Sequence, residues 1–186
     1  MGDLKKGREL ASEAIKLNPN QEWYRILLSE LYKASGMYKE ATREFENLIR
    51  LSPANSEYYF QWAELFHYMK KYDDALKEYD RIEKNFGFSE SLALAREELW
   101  LQKGDENKAL EEIQKLVTAY PNEPRYLGIL AETYMNRQNY TEAWKYYQKM
   151  MESDSTNGLL HLSLAEYYRL TRDYEKSFSE LKKAFA

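Results

Sequence analysis

Cysteine is absent from the 186-residue chain, which excludes disulfides, thiolate zinc sites, iron–sulfur clusters and a cysteine nucleophile. The only two histidines, His67 and His161, lie far apart, and neither has a second ligand three or four residues away, so no metal site is expected. No run of about 18 apolar residues occurs, and the opening MGDLKKGREL has no apolar stretch of the signal-peptide kind. Direct membrane insertion is therefore not expected, while cytoplasm and periplasm or envelope both stay open. Charge of one sign is not in excess: 27 Lys and Arg stand against 31 Asp and Glu, interspersed, with a net charge of -4. That balance lacks the basic footprint that a phosphate backbone requires, so nucleic acid is not an expected partner. Phosphate-binding glycine loops, G-x-S-x-G and H-E-x-x-H are missing too, and no nucleophile can be paired with a base, so neither catalytic residues nor a cofactor are expected.

Glycine (7) and proline (4) are scarce, while Leu, Glu, Lys, Ala and Tyr dominate. Few helix breakers among many helix formers predict an all-α chain. A 34-residue period then organises it. GMYKEATREF, KKYDDALKEY, GDENKALEEI, QNYTEAWKYY and RDYEKSFSEL align so that Ala41, Ala75, Ala109, Ala143 and Ser177 are each 34 residues apart. Four residues after each small residue lies Phe45, Tyr79, Ile113, Tyr147 or Leu181, and seven after lies Leu48, Ile82, Leu116, Met150 or Ala184. Offsets of four and seven mark one face of a helix.

A second helix precedes each of these. Leu28, Trp62, Leu130 and Leu164 are followed four residues later by Tyr32, Phe66, Tyr134 and Tyr168, and directly by the small residues Ser29, Ala63, Ala131 and Ala165. Small residues on facing helices permit close approach, so each period is a helical hairpin. Pro19, Pro53 and Pro121 end helices, and Asn55, Ser89 and Asn157 are placed to cap the next ones. The third period departs, with Arg96 and Glu97 at the seam and Gly87-Phe88 where others approach Pro-Asn. Two buried charges would cost several kcal/mol unless paired or exposed, so this helix is expected to be rotated or shifted, with a functional contact as the alternative.

The pattern resembles the tetratricopeptide repeat, whose small and aromatic signature positions are met in outline. The resemblance implies a right-handed α-α superhelix: a single array over 1–186, with a lone helix at 3–17 and hairpins at 22–55, 56–89, 90–123, 124–157 and 158–186. In segments such as TAYPNEPRYLGILAETYMNRQNYTEAWKYYQKM the chain looks like the long tetratricopeptide proteins of bacteria, notably Bacteroidetes. The last helix keeps Phe178, Leu181 and Phe185 without a distinct cap, a pattern that predicts a fragment of a longer protein and self-association through uncapped ends.

The resemblance further implies that the first helix of each hairpin lines a concave groove, contacting a partner from its second, fifth, ninth, twelfth and thirteenth residues. The ninth places carry Glu30, Glu64, Glu98, Glu132 and Glu166; the fifth carry Ile26, Phe60, Leu94, Gly128 and Leu162. The others add Trp23, His67, Tyr68, Arg125, Met135, Asn136 and Arg169. Such a surface would suit a protein segment that presents basic and apolar side chains. The carboxylate ladder has a bland reading beside this one, as a solvated stripe with Glu30–Lys33 and Glu166–Arg169 pairs. The Lys and Asn set with which some members grip a C-terminal carboxylate is missing, since those places read Ile26 and Glu30, Phe60 and Glu64, Leu94 and Glu98. The expected function is a protein-binding scaffold without catalysis. A regulatory segment of a larger enzyme or sensor, and a passive spacer, stand as alternatives.

Overall fold

A computed structural model describes residues 2–185. Among them are eleven helices and no strand. They are α1 (Gly2–Leu17), α2 (Glu22–Ala34), α3 (Tyr38–Leu51), α4 (Ser56–Tyr68), α5 (Tyr72–Phe86) and α6 (Glu90–Gln102). Then follow α7 (Glu106–Ala119), α8 (Pro124–Asn136), α9 (Tyr140–Ser153), α10 (Gly158–Leu170) and α11 (Tyr174–Ala184). The chain divides into two compact units, the first running to Leu99 and the second from Trp100.

The hairpins α2–α3, α4–α5, α8–α9 and α10–α11 are held by the small residues that the period marks. Ala41, Ala63, Ala75, Ala131 and Ala143 have no exposed surface, and Ser29 is equally buried. Where a seat carries a hydroxyl it is satisfied locally: Ser29 donates to the Ile26 carbonyl at 2.7 Å, and Ser177 donates to that of Ala165 at 2.8 Å. Around these seats the first unit packs Phe45, Leu48, Tyr59, Leu65, Tyr79 and Ile82, and the second packs Met135, Tyr147, Leu160 and Leu164. Each fully buried side chain of this size is worth about 1.5–3 kcal/mol of transfer free energy.

The hairpin turn repeats as faithfully as the seam. Gly36, Lys70, Gly104, Gln138 and Arg172 all adopt positive φ, between 57° and 77°, one in every hairpin. The residue after each returns its N–H to a carbonyl five residues back, as Met37 does to Tyr32 and Asp105 to Trp100. This closes the first helix and requires the left-handed residue. Asn55, Ser89 and Asn157 accept the capping hydrogen bonds expected of them, from Glu57 N, Leu92 N and Leu159 N. Asp105, Asn139 and Asp173 cap the second helices of their hairpins in the same way.

The two charges expected at the seam of α6 fare differently: Arg96 is buried, whereas Glu97 is half-buried and its carboxyl is pushed up by burial and then by the charge of Glu98. The buried positions Leu92, Ala93 and Leu99 of α6 correspond to the buried Tyr58, Tyr59 and Leu65 of α4, but Arg96 stands where α4 has the half-buried Trp62, and Glu97 where α4 has the fully buried Ala63. Arg96 is only 4% exposed, yet its guanidinium meets Asp80 Oδ1 and Glu83 Oε2 of α5, each at 2.5 Å. The charge is offset by two carboxylates from the preceding helix. Gly87, which ends the long α5, has φ 84° and ψ −179°, a conformation open essentially to glycine alone.

Candidate functional site

In the first unit the first helices α2, α4 and α6 carry Glu30, Glu64 and Glu98, all exposed. Lys33 joins two of them, its Nζ 3.1 Å from Glu30 Oε1 and 3.9 Å from Glu64 Oε2. Glu64 also accepts a hydrogen bond from the Tyr68 hydroxyl at 3.3 Å, and the Tyr68 ring stacks on Tyr38. His67 lies against Tyr68 and Tyr72. Ile26 and Phe60 are half-buried against the core, Leu94 is half-buried, and Trp23 stands out in solvent with its edge toward Tyr24. Beneath the carboxylates lies Tyr79, whose hydroxyl is pushed up to about 12 by burial and by the nearby charges of Glu98 and Glu64.

In the second unit the corresponding face opens into a pocket of about 540 Å³. Its walls come from α8 and α10 and its floor from α9. Six residues at groove places named from the sequence meet there: Gly128, Glu132, Met135, Asn136, Leu162 and Glu166. Tyr147, Met150, Ser163 and Leu170 complete the lining. Tyr147 is 4% exposed and, like Tyr79, has its hydroxyl pushed up to about 12 by burial and then by two ladder carboxylates, here Glu132 and Glu166. Arg169 grips Glu166 in a two-pronged pair, Nε to Oε2 at 2.7 Å and a terminal nitrogen to Oε1 at 2.5 Å. Its partner's carboxyl is accordingly held below the ordinary glutamate range. Arg125, exposed at the start of α8, lies over the Tyr126 ring and donates to its hydroxyl at 2.8 Å.

Both i,i+3 pairs of the bland reading thus form, but Lys33 also reaches across to α4. Tyr147 and Met150 stand at offsets of four and seven from Ala143, on the face by which the second helix packs. A residue on that face of a second helix can fill the hairpin and still show one edge between two first helices, which periodicity does not distinguish.

A second series escaped the sequence analysis. Glu44, Glu78, Glu112 and Glu180, with Tyr146 between them, share one place in successive second helices and are largely buried. Glu44 pairs with Arg25, and Glu180 with His161. His161 is a hydrogen-bonded core residue; its Nε2 lies 3.0 Å from the Ser155 carbonyl. Among the described residues no cluster of acidic, histidine or cysteine side chains is suited to a metal ion, and no helix is long and apolar enough to cross a membrane.

Two profiles, both described as tetratricopeptide repeat, match residues 92–158 and 24–55, together more than half of the chain. Among solved structures the chain is similar to MamA 41-end from Desulfovibrio magneticus RS-1, with TM-score 0.59 and 17% identity, covering 88% of this chain and 93% of that one. It is similar also to pilF of Pseudomonas aeruginosa, at TM-score 0.58 and 15% identity over 96% and 82% of the two chains. YrrB, described as a TPR protein with an unusual peptide-binding site, gives TM-score 0.57 and 16% identity over 95% of this chain and 91% of its own. At such identities the likeness establishes the all-α solenoid fold. Comparison with curated protein sequences finds no match.

Proposed function

The chain belongs to the tetratricopeptide repeat family, a class of protein-protein interaction scaffolds, and from that premise we propose that its first-helix faces bind a segment of another protein and that it performs no reaction itself. The observation that carries the proposal is the pocket between α8 and α10, where apolar walls and two carboxylates stand open beside a floor of packed second-helix residues. Open, partly apolar concavities with a few placed polar groups are the usual form of a recognition site. The division of labour within each hairpin supports the same reading. The buried faces fix the scaffold, leaving Glu132, Asn136 and Glu166 exposed with no visible packing role. YrrB, whose fold this chain shares, offers a precedent for peptide binding on such a scaffold.

Peptides selected by display against the purified protein test the proposal. Leu162→Asp, a change at an exposed position of α10, should weaken the selected peptides about tenfold or more, the effect of losing an apolar contact and adding a repulsive charge. Thermal unfolding should be unchanged. Peptides that bind Leu162→Asp as tightly as the wild type would place recognition elsewhere and defeat the proposal.

A further inference from the structure

Lys33 shows, within the protein itself, what the gap between two successive ladder carboxylates holds. Its ammonium group lies 3.1 Å from Glu30 and 3.9 Å from Glu64. Three repeats later the same place in α8 is Met135, so the gap between Glu132 and Glu166 receives no lysine from the chain. Arg169 occupies Glu166, whereas Glu132 has no ion-pair partner among the described residues. We infer that this pocket takes the side chain of a lysine carried by the bound segment, its methylene stem along Met150 and Leu162 and its ammonium group at Glu132. The inference rests on the groove reading above and adds the chemistry of the residue that is held.

The shape of the pocket agrees with such an occupant. At the fifth place of the first helix, where Ile26, Phe60, Leu94 and Leu162 stand in the other hairpins, α8 has Gly128. A Cβ there would approach Met150 Cε at 3.7 Å, so any longer side chain would stand in the space a ligand stem needs. Glycine inside a helix costs stability relative to alanine, and its presence here keeps the volume open. Met135, Met150, Leu162 and Leu170 offer apolar surface to methylene groups. Tyr147 is almost fully buried, lines the same pocket, and its hydroxyl has no hydrogen-bond partner among the described residues. An incoming ammonium group would supply donors to that oxygen and to Glu132 together. The alternatives fit less well. An acidic side chain would meet two carboxylates, an apolar one would desolvate Glu132 and Tyr147 without compensation, and a guanidinium fork is best matched to a carboxylate that Arg169 already holds.

The test uses a library of blocked heptapeptides in which one position is fixed in turn as Lys, acetyl-lysine, Arg, Glu or Leu, screened against the full chain, with binders measured by calorimetry. The best peptides should carry lysine, and acetylating that lysine, which keeps the stem and removes the charge, should weaken binding about tenfold, as expected for one charge-assisted hydrogen bond. Glu132→Gln should bring the two forms within about twofold of each other. Met135→Lys, which restores the Lys33 arrangement within the chain, should do the same while leaving the circular dichroism spectrum unchanged. Peptides that lose affinity in Leu162→Asp but show no preference for lysine, or whose preference survives Glu132→Gln, would overturn the lysine assignment and leave the groove reading standing. If no peptide binds, or binding ignores Leu162→Asp, the groove reading falls and the inference falls with it.

Discussion

His161 Nδ1 lies 2.6 Å from Glu180 Oε2, and these two residues occupy, four repeats later, the places of Arg25 and Glu44, which meet at 2.9 Å. In these two hairpins a buried carboxylate of the second helix meets a nitrogen-bearing side chain of the first, whereas Glu78 and Glu112, at the same place, pair with Arg81 and Lys115 of their own helices. Burial by itself pushes the Glu180 carboxyl up; hydrogen bonds from Lys183 and His161, with their charges, pull it below its ordinary value of 4.5. A carboxyl whose folded-state value is depressed stabilises the fold above its unfolded value, and that contribution is lost as the pH falls through the folded one. Glu180→Gln should therefore cost about 1–2 kcal/mol at pH 7, and the gap from wild type should close as the pH falls below the ordinary value of 4.5 and through the depressed folded-state one. Thermal melts of both proteins from pH 7 to pH 3 check this; a gap that does not change with pH would refute it.

Arg96 makes a different prediction, because its partners Asp80 and Glu83 are far more exposed than it is. Removing the guanidinium leaves those carboxylates free to hydrate, so the main loss in Arg96→Ala is packing and a cavity, about 2–4 kcal/mol. Arg96→Leu, which installs the residue found at this place in α2, α8 and α10, should cost less than about 1 kcal/mol, since apolar replacement of buried ion pairs is often neutral. Urea unfolding of the two variants separates these outcomes, and equal losses would show that the pairing itself matters most.

The turn residues can be exchanged in both directions. Gly104 has φ 77° and Gln138 has φ 57° at matching places. Left-handed backbone costs a non-glycine residue about 1–2 kcal/mol, partly offset by the greater chain entropy that glycine loses. Gln138→Gly should gain about 0.5 kcal/mol and Gly104→Ala should lose about 1 kcal/mol. Denaturant midpoints moving in the same direction for both would contradict the turn assignment.

Gly128 sits at the meeting point of stability and recognition. A methyl group there meets only Met150 at ordinary contact distance, so Gly128→Ala should raise stability by about 0.5–1 kcal/mol, and Gly128→Leu should abolish binding of any peptide that enters the pocket. A melting temperature that falls in the alanine variant would show that the backbone at this position is under a constraint not visible in its geometry.

Much of the architecture was legible because a helical hairpin is a local object. Its two helices, their small seats at Ala63 and Ala75, the proline stops and the caps at Asn55 and Asn157 all lie within one period, and a pattern repeated every 34 residues exposes them by simple alignment. Arg96 in the third hairpin shows where that locality ends. Arg96 looked intolerable when its own helix was considered, but the carboxylates that satisfy it, Asp80 and Glu83, belong to the preceding helix and stand at surface positions that the period does not mark.

The candidate site divides along the same line. Sequence periodicity by itself determined which residues share the first-helix faces, including Glu132, Asn136, Leu162 and Glu166, because spacing along a helix fixes the face on which a residue lies. Only the tertiary structure decided that Tyr147 and Met150 floor a pocket there, that Lys33 bridges Glu30 and Glu64, and that Arg169 occupies Glu166 while Glu132 stays open. Those relations depend on how far one helix stands from the next and where a long side chain comes to rest, and packing between helices settles both.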